Sequence, residues 1–288
     1  MKILIFWEQD FYGGVDTHLL ELLKTWPEKN DQITILTNQE NSAVENIKKT
    51  SNELFKFIKI EKFNSYSYNI INFKLRKYKI MQYTLYFLNP ILFILNLFLL
   101  NRVIYKFKDY DVILSNNGGY PASWNCISSI IVAKKIGIKK RFLLIHHESN
   151  DFFPFMKWFN QIVDKLVSAS VTSILCVSKA TRNSLLKKRF LSLSSKRVKV
   201  IYNSLKIKKV NKKKFFNLRK KYKISKKKFL IGSISRIEPY KGHFDLIKSI
   251  SKIDKIFLNN VHFVFIGKGQ SNYEIFLKDE VKRLHLSK

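Results

Sequence analysis

Arg236 and Lys241 stand five residues apart in IGSISRIEPYKGHFDLIKSI, Ile231 to Ile250, on a short polar loop that also holds Glu238 and Pro239. An Arg offers a planar fork of donors and a Lys a mobile point charge. Together they suit two phosphates of one ligand. The elements that must position them are legible on either side. The apolar run Phe229 to Ile234 reads as a buried parallel strand. After Gly242, the residues Phe244, Leu246, Ile247 and Ile250 recur at helical spacing. The cations therefore fall where a strand hands over to a helix, the crevice where ligands bind in an open α/β sheet. Free N–H groups and the helix dipole favour an anion there. In a chain with 53 Lys and Arg, spacing alone favours two solvated surface cations.

Two further places could carry chemistry. Gly13-Gly14 follows the apolar run Ile3 to Trp7 and precedes a helical pattern with Leu19, Leu22 and Leu23. At such a strand-to-helix turn the backbone must approach something closely or take a positive φ. The run Arg141 to Ile145 ends in His146, His147 and Glu148. Neighbours on a strand point to opposite faces, so the two histidines do not readily share a metal, and no metal site is expected. A His at the carboxyl end of a central strand can reach a ligand or cap the strand.

Several of these segments, in this order, resemble glycosyltransferase family 4, the retaining "glycosyl transferases group 1" of GT-B fold. RIEPYKG resembles that family's Arg-x(4)-Lys-Gly segment, and GGVDTHLLEL its GGxE turn and helix, with Asp16 in place of Glu. CVSKATRNSLL resembles the segment after a central strand, and GKGQSNYEIFLKDEVKRL the GxGpe turn and its helix. Asn203-Ser204 stands where Asn-Gly is usual. The resemblance implies that Arg236 and Lys241 hold the diphosphate of a nucleotide-sugar donor. It implies that Gly13 and Gly14 line the phosphate and acceptor side, and that His146, with His147 as runner-up, contacts the donor sugar near the reacting centre. Asp16, Asn203 and Gly267 would be further cleft residues. The fold implied is two Rossmann-like, doubly wound α/β domains. No cofactor is implied beyond a UDP- or GDP-linked sugar as co-substrate.

Taken in order, residues 1–204 read as the first domain, with about six strands, including Gln32 to Thr37, Leu54 to Ile60 and Asp111 to Asn116. Pro121 is expected to open a helix. Residues 205–228 hold thirteen cations and no acid from Lys206 to Lys228, and read as a basic linker. Residues 229–288 show two strands and two helices, the start of a second domain. The family's Glu-x(7)-Glu motif lies beyond them, so the second domain is expected to be incomplete and the activity of this stretch reduced.

Net charge is +32, and the cations favour nucleic acid, an anionic membrane surface or phosphate-bearing substrates as partners. No zinc, helix-turn-helix or RNA-recognition pattern accompanies the charge, so nucleic acid is not expected. Cys126 and Cys176 form no metal or disulfide framework and fit a reducing compartment. From Lys62 to Lys108 there are eight cations and no acid, and Tyr83 to Leu100 is uncharged. That run reads as a buried helix of the first domain, since the strands on both sides belong to one sheet. The alternative is an amphipathic element on an anionic bilayer, with Lys74, Arg76, Lys77 and Lys79 meeting head groups. The leading expectation is a cytoplasmic or peripheral glycosyltransferase moving a hexose-type sugar to a polysaccharide or lipid-linked acceptor. The alternatives are a remnant that binds nucleoside diphosphate weakly and, further off, a basic nucleic-acid-binding protein.

Overall fold

The structure is a computed structural model. It describes residues 1–9, 13–45, 47–48, 58–64, 87–152, 154–204, 217–269 and 271–286. The chain divides into two compact units, Met1–Ile207 and Lys208–Lys288.

Unit 1 is built on a seven-stranded parallel sheet, one strand more than expected. Its strands are β1 (Lys2–Trp7), β2 (Gln32–Asn38), β3 (Ile58–Phe63), β4 (Val112–Asn117), β5 (Lys140–Ile145), β6 (Ser173–Cys176) and β7 (Val198–Val200). Their order is β3-β2-β1-β4-β5-β6-β7. Strand order reverses between β1 and β4, which makes that the switch point of a doubly wound sheet. Both faces of the sheet are covered, which is why its strands read as apolar runs. Leu4 and Phe6 of β1 enter a core with Phe93, Ile127 and Val163. Ile3, Ile5 and Trp7, alternating with them, enter another with Leu19, Leu23 and Val44.

The helices of unit 1 are α1 (Gly14–Lys24), α2 (Asn89–Ile104), α3 (Trp124–Lys135), α4 (Lys157–Ser170) and α5 (Lys179–Lys188). Pro121 does not open α3. Ser123 caps it two residues later, accepting the Cys126 N–H at 3.1 Å. Ser178 caps α5 as expected, accepting from Thr181 N–H at 3.0 Å. The uncharged run does form a helix, α2, but it is not the buried helix expected: five of its sixteen residues are buried, and the rest face outward or lie at the margin. The basic residues Lys74, Arg76, Lys77 and Lys79, and the first half of the expected linker, residues 205–216, lie outside the described residues.

Unit 2 holds α6 (Leu218–Lys221), β8 (Phe229–Ile234), α7 (His243–Ile250), α8 (Lys255–Asn259), β9 (Val261–Ile266) and α9 (Ser271–Arg283). β8 and β9 pair in parallel over six residues, Phe229 opposite Val261 through Ile234 opposite Ile266. Ile247, Ile250, Val261 and Leu277 are its buried apolar residues along with Ile224.

Candidate functional site

In unit 1 polar side chains gather at the carboxyl ends of β1, β4 and β5, Glu8 bonded to the start of α3 and Asn116 to His146. Glu8, one residue past β1, is buried. Its carboxylate accepts from the Ser123 hydroxyl and, at 2.8 Å, from Asn125 Nδ2. A carboxylate thus sits at the N-terminus of α3, where the helix dipole favours it. Asn116, near the end of β4, is 1% exposed. Its Oδ1 lies 2.8 Å from His146 Nε2. A carbonyl oxygen can only accept, so the imidazole carries its proton on Nε2 and leaves Nδ1 as an acceptor. Asn116 Nδ2 is buried and has no hydrogen-bond partner among the described residues.

His18 of α1 meets His146 edge-on, with ring centroids 4.8 Å apart. Burial, reinforced by the neighbouring His18 and His147, lowers the His146 pKa to about 3. Burial lowers His18 as well. His146 is therefore a neutral imidazole at any physiological pH. His147 is exposed instead; both histidines lie past the end of β5, so the strand alternation expected to separate them does not apply.

Asp16, the third residue of α1, is 1% exposed. It accepts from the Gly13 N–H and from Gln9 Nε2 at 3.1 Å, closing the first turn of α1 as a capping residue. Burial raises its pKa to about 6, against the Gly13 hydrogen bond that lowers it. Gly13 and Gly14 do not need a positive φ. Gly13 is extended, a Cβ there would make ordinary contact with Gln9, and one on Gly14 would meet open space. Asn203 is exposed just past β7, at the far edge of the sheet from β1 and β4, and is not gathered with these groups.

In unit 2 the loop between β8 and α7 holds Arg236, Glu238, Tyr240 and Lys241 around one aromatic ring. Arg236 Nη2 donates to the Tyr240 hydroxyl at 2.5 Å, and Nη1 lies 3.3 Å from Glu238. Lys241 Nζ stands 4.9 Å from the Tyr240 ring centroid. A hydrogen bond to Glu238 raises the Tyr240 pKa. Arg236 is 59% exposed. Gly242, at φ 73°, turns the chain from this loop into α7, a conformation a side chain resists. His243 follows, buried, with Nε2 3.2 Å from Ser235 Oγ.

Gly267 needs no ligand to explain it. A Cβ there would fall 1.9 Å from the Ser235 carbonyl oxygen, and one on Gly269 1.8 Å from that of Ile237. These glycines let the chain after β9 lie against the chain after β8. Sequence reasoning missed Glu8, His18 and Tyr240. Glu8 carried a signal, since it stands directly after a buried strand. Among the described residues no three His, Cys, Asp or Glu side chains gather as metal ligands.

This architecture is that of the GT-B glycosyltransferases. A family model described as Glycosyltransferase Family 4 matches residues 12–209, and one described as Glycosyl transferases group 1 matches residues 214–288. The chain belongs to glycosyltransferase family 4. Among solved structures it resembles HepE from Anabaena in complex with UDP and glucose, at 17% identity and a TM-score of 0.66, covering 100% of this chain and 67% of that one. It also resembles a glycosyltransferase from Rickettsia africae, at 19% identity and a TM-score of 0.68, covering 99% and 65%. A lipopolysaccharide outer core galactosyltransferase, WaaB, matches at 15% identity and a TM-score of 0.54, covering 99% and 66%. The chain thus spans about two thirds of the length of these structures. No curated protein matches it.

Proposed function

We propose that the protein is a retaining, metal-independent glycosyltransferase. In this reading it moves a hexose-type sugar from a UDP- or GDP-linked donor to a polysaccharide or lipid-linked acceptor at the cytoplasmic face of a membrane. The observation that carries the reading is the pairing of Arg236 and Lys241 around Tyr240 on the loop ahead of α7. In sugar transfer the bond from the anomeric carbon to the diphosphate breaks, and negative charge grows on the departing oxygens. Fixed cations that match that charge lower the barrier. Arg236 supplies the fork, Tyr240 steadies it, and Lys241 adds the second charge.

On unit 1, His146 is the proposed sugar-orienting residue. Its neutral ring, with the proton held on Nε2 by Asn116, offers Nδ1 to a sugar hydroxyl. The free Asn116 Nδ2 offers a donor beside it. Two free, buried cysteines support the cytoplasmic part of the reading.

The test is a thermal shift with UDP and with GDP on the wild type and on Arg236→Ala/Lys241→Ala. A ligand at about 100 times its Kd stabilises by ~2.7 kcal/mol, several degrees in Tm. The double variant should lose most of that shift while melting at the wild-type temperature without ligand. Equal shifts in the two proteins would remove the diphosphate from this loop.

A further inference from the structure

α2 is turned the wrong way round for a helix facing water. Its buried side holds Asn89 and Asn96 beside Phe93, Leu100 and Ile104. Asn89 Oδ1 and Asn96 Nδ2 have no hydrogen-bond partner among the described residues. Its outward side is apolar: Ile91 is 57% exposed, Ile94 53%, Leu95 51% and Phe98 67%. A water-facing helix places polar residues outward and apolar ones inward. A contiguous exposed apolar face marks a surface meant for something other than water.

The neighbouring helix continues the pattern. α4 reaches α2 through the Phe93 and Phe159 rings, 5.6 Å apart. It exposes Trp158, Ile162 and Leu166, interleaved with the exposed Lys157 and Lys165. Between α2 and α3 runs a groove of about 280 Å³, lined chiefly by Ile94, Leu97, Phe98, Ile131 and Val132, with Lys135 on its wall. No exposed acid occurs on α2 or α4, since α2 has none and Asp164 of α4 is buried. Past the end of α2 come Lys106, ion-paired with Glu61, and the exposed Lys108, followed by the exposed Asp109.

An apolar face with Trp at its margin, and with exposed Arg102, Lys157 and Lys165 but no exposed acid on its two helices, fits a bilayer interface carrying anionic lipid. A protein partner would have to match the apolar area while bringing its own acids. α2 packs Phe93, Leu100 and Ile104 into the core of unit 1, so it lies against the sheet with one face outward, the disposition of an interfacial helix. We propose that the outward faces of α2 and α4 are where the protein rests on an anionic bilayer, with acyl chains entering the α2–α3 groove. The inference deepens the membrane location in the proposed function and rests on this surface; the sugar transfer itself is tested separately by the nucleotide thermal shift.

The test is flotation of the full chain with phosphatidylcholine vesicles, with and without phosphatidylglycerol, at low and high salt. The expected result is binding to anionic vesicles that weakens in salt. In Ile94→Asp/Phe98→Asp binding should fall at least ~tenfold, because charge is driven into the apolar contact. Circular dichroism and melting temperature should stay at wild-type values; if they do not, Leu95→Ser/Phe98→Ser is read in the same assay. Tryptophan emission should shift to the blue on binding, and Trp158→Phe should remove the shift. No binding at low salt overturns the proposal. Equal binding by the variant also overturns it, since the charge of +32 alone would then hold the vesicle. A wild-type dimer in size exclusion that the Asp variant splits would assign the face to a second copy instead.

Discussion

At the carboxyl ends of β1, β4 and β5, the polar side chains of unit 1 are held by hydrogen bonds within the fold, whereas the cations of unit 2 stand on an exposed loop. The same contrast separates two ion pairs. Arg189 and Asp164 in unit 1 lie 2.9 Å apart at 1% and 0% exposure, and Asp164 also accepts from the Tyr120 hydroxyl and the Phe190 N–H. Arg236 and Glu238 in unit 2 lie 3.3 Å apart, with the Arg 59% exposed. A buried pair costs heavily when one partner is lost, because the other is stranded without water. An exposed pair contributes little to folding and is free to exchange partners. Unit 1 thus spends its charges on holding geometry, and unit 2 leaves two of its cations available to a ligand.

The largest test of that contrast is Arg189→Ala. It leaves Asp164 buried with its charge uncompensated and should destabilise unit 1 by about 3–5 kcal/mol. Arg236→Ala should change folding by less than ~1 kcal/mol. Urea unfolding of the two variants measures both. Comparable losses would mean that the loop of unit 2 is as structural as the interior of unit 1.

A second test asks what is rigid in unit 2. Gly267→Ala places a Cβ against the Ser235 carbonyl, so the two chains after β8 and β9 must separate. The expected cost is about 1–3 kcal/mol, confined to unit 2. Hydrogen exchange should show faster opening between Ser235 and Gly269 while the amides of β1 and β4 keep their protection. A neutral substitution would show that this part of unit 2 is pliable as well as exposed.

These features were unevenly legible in the sequence. Strands of a sheet buried on both faces are apolar runs, so β1, β4 and β5 could be read to within a residue or two. β8 forms over the residues expected, Phe229–Ile234, but it is not the buried strand its apolar run suggested: it pairs with β9 alone and leaves Phe229 70% and Ile234 79% exposed. α4 was not read at all. Its inward side carries Asn160, Asp164 and Ser168 among Phe159, Val163 and Val167, which blurs the apolar stripe. Asn160 and Asp164 are satisfied by Arg189, which stands just past the end of α5, far from them in sequence. The position of His146 at the end of a strand could be read, but its partner Asn116, thirty residues earlier, could not. Gly267 looked like a place for a ligand to approach, and the protein's own Ser235 carbonyl fills that place. α2 could be read as a helix because its apolar residues are nearly continuous. That same continuity hid which side faces out.

The smallest test is the most specific to the site of unit 1, because it reads two groups shifted in opposite senses. The folded protein holds His146 at about 3, below its ordinary 6.5, through burial. Between those values the unfolded chain binds a proton that the folded one refuses. The His146 contribution is present above pH 6.5 and is lost as pH falls toward 3. Asp16 is raised from 3.8 to about 6, also by burial. Its contribution is fully present below pH 3.8 and is lost as pH rises through 6. Across pH 4 to 6 the two slopes therefore oppose each other. Asp16→Asn removes one of them while leaving an oxygen for the Gly13 N–H. The variant should gain on the wild type as pH rises from 4 to 6, by less than ~1.4 kcal/mol per pH unit. Urea unfolding at four pH values in that range reads the difference. Parallel curves would mean that water reaches Asp16 as freely as it reaches Arg236, and the contrast between a buried site and an open loop would fail at the residue where it is drawn most sharply.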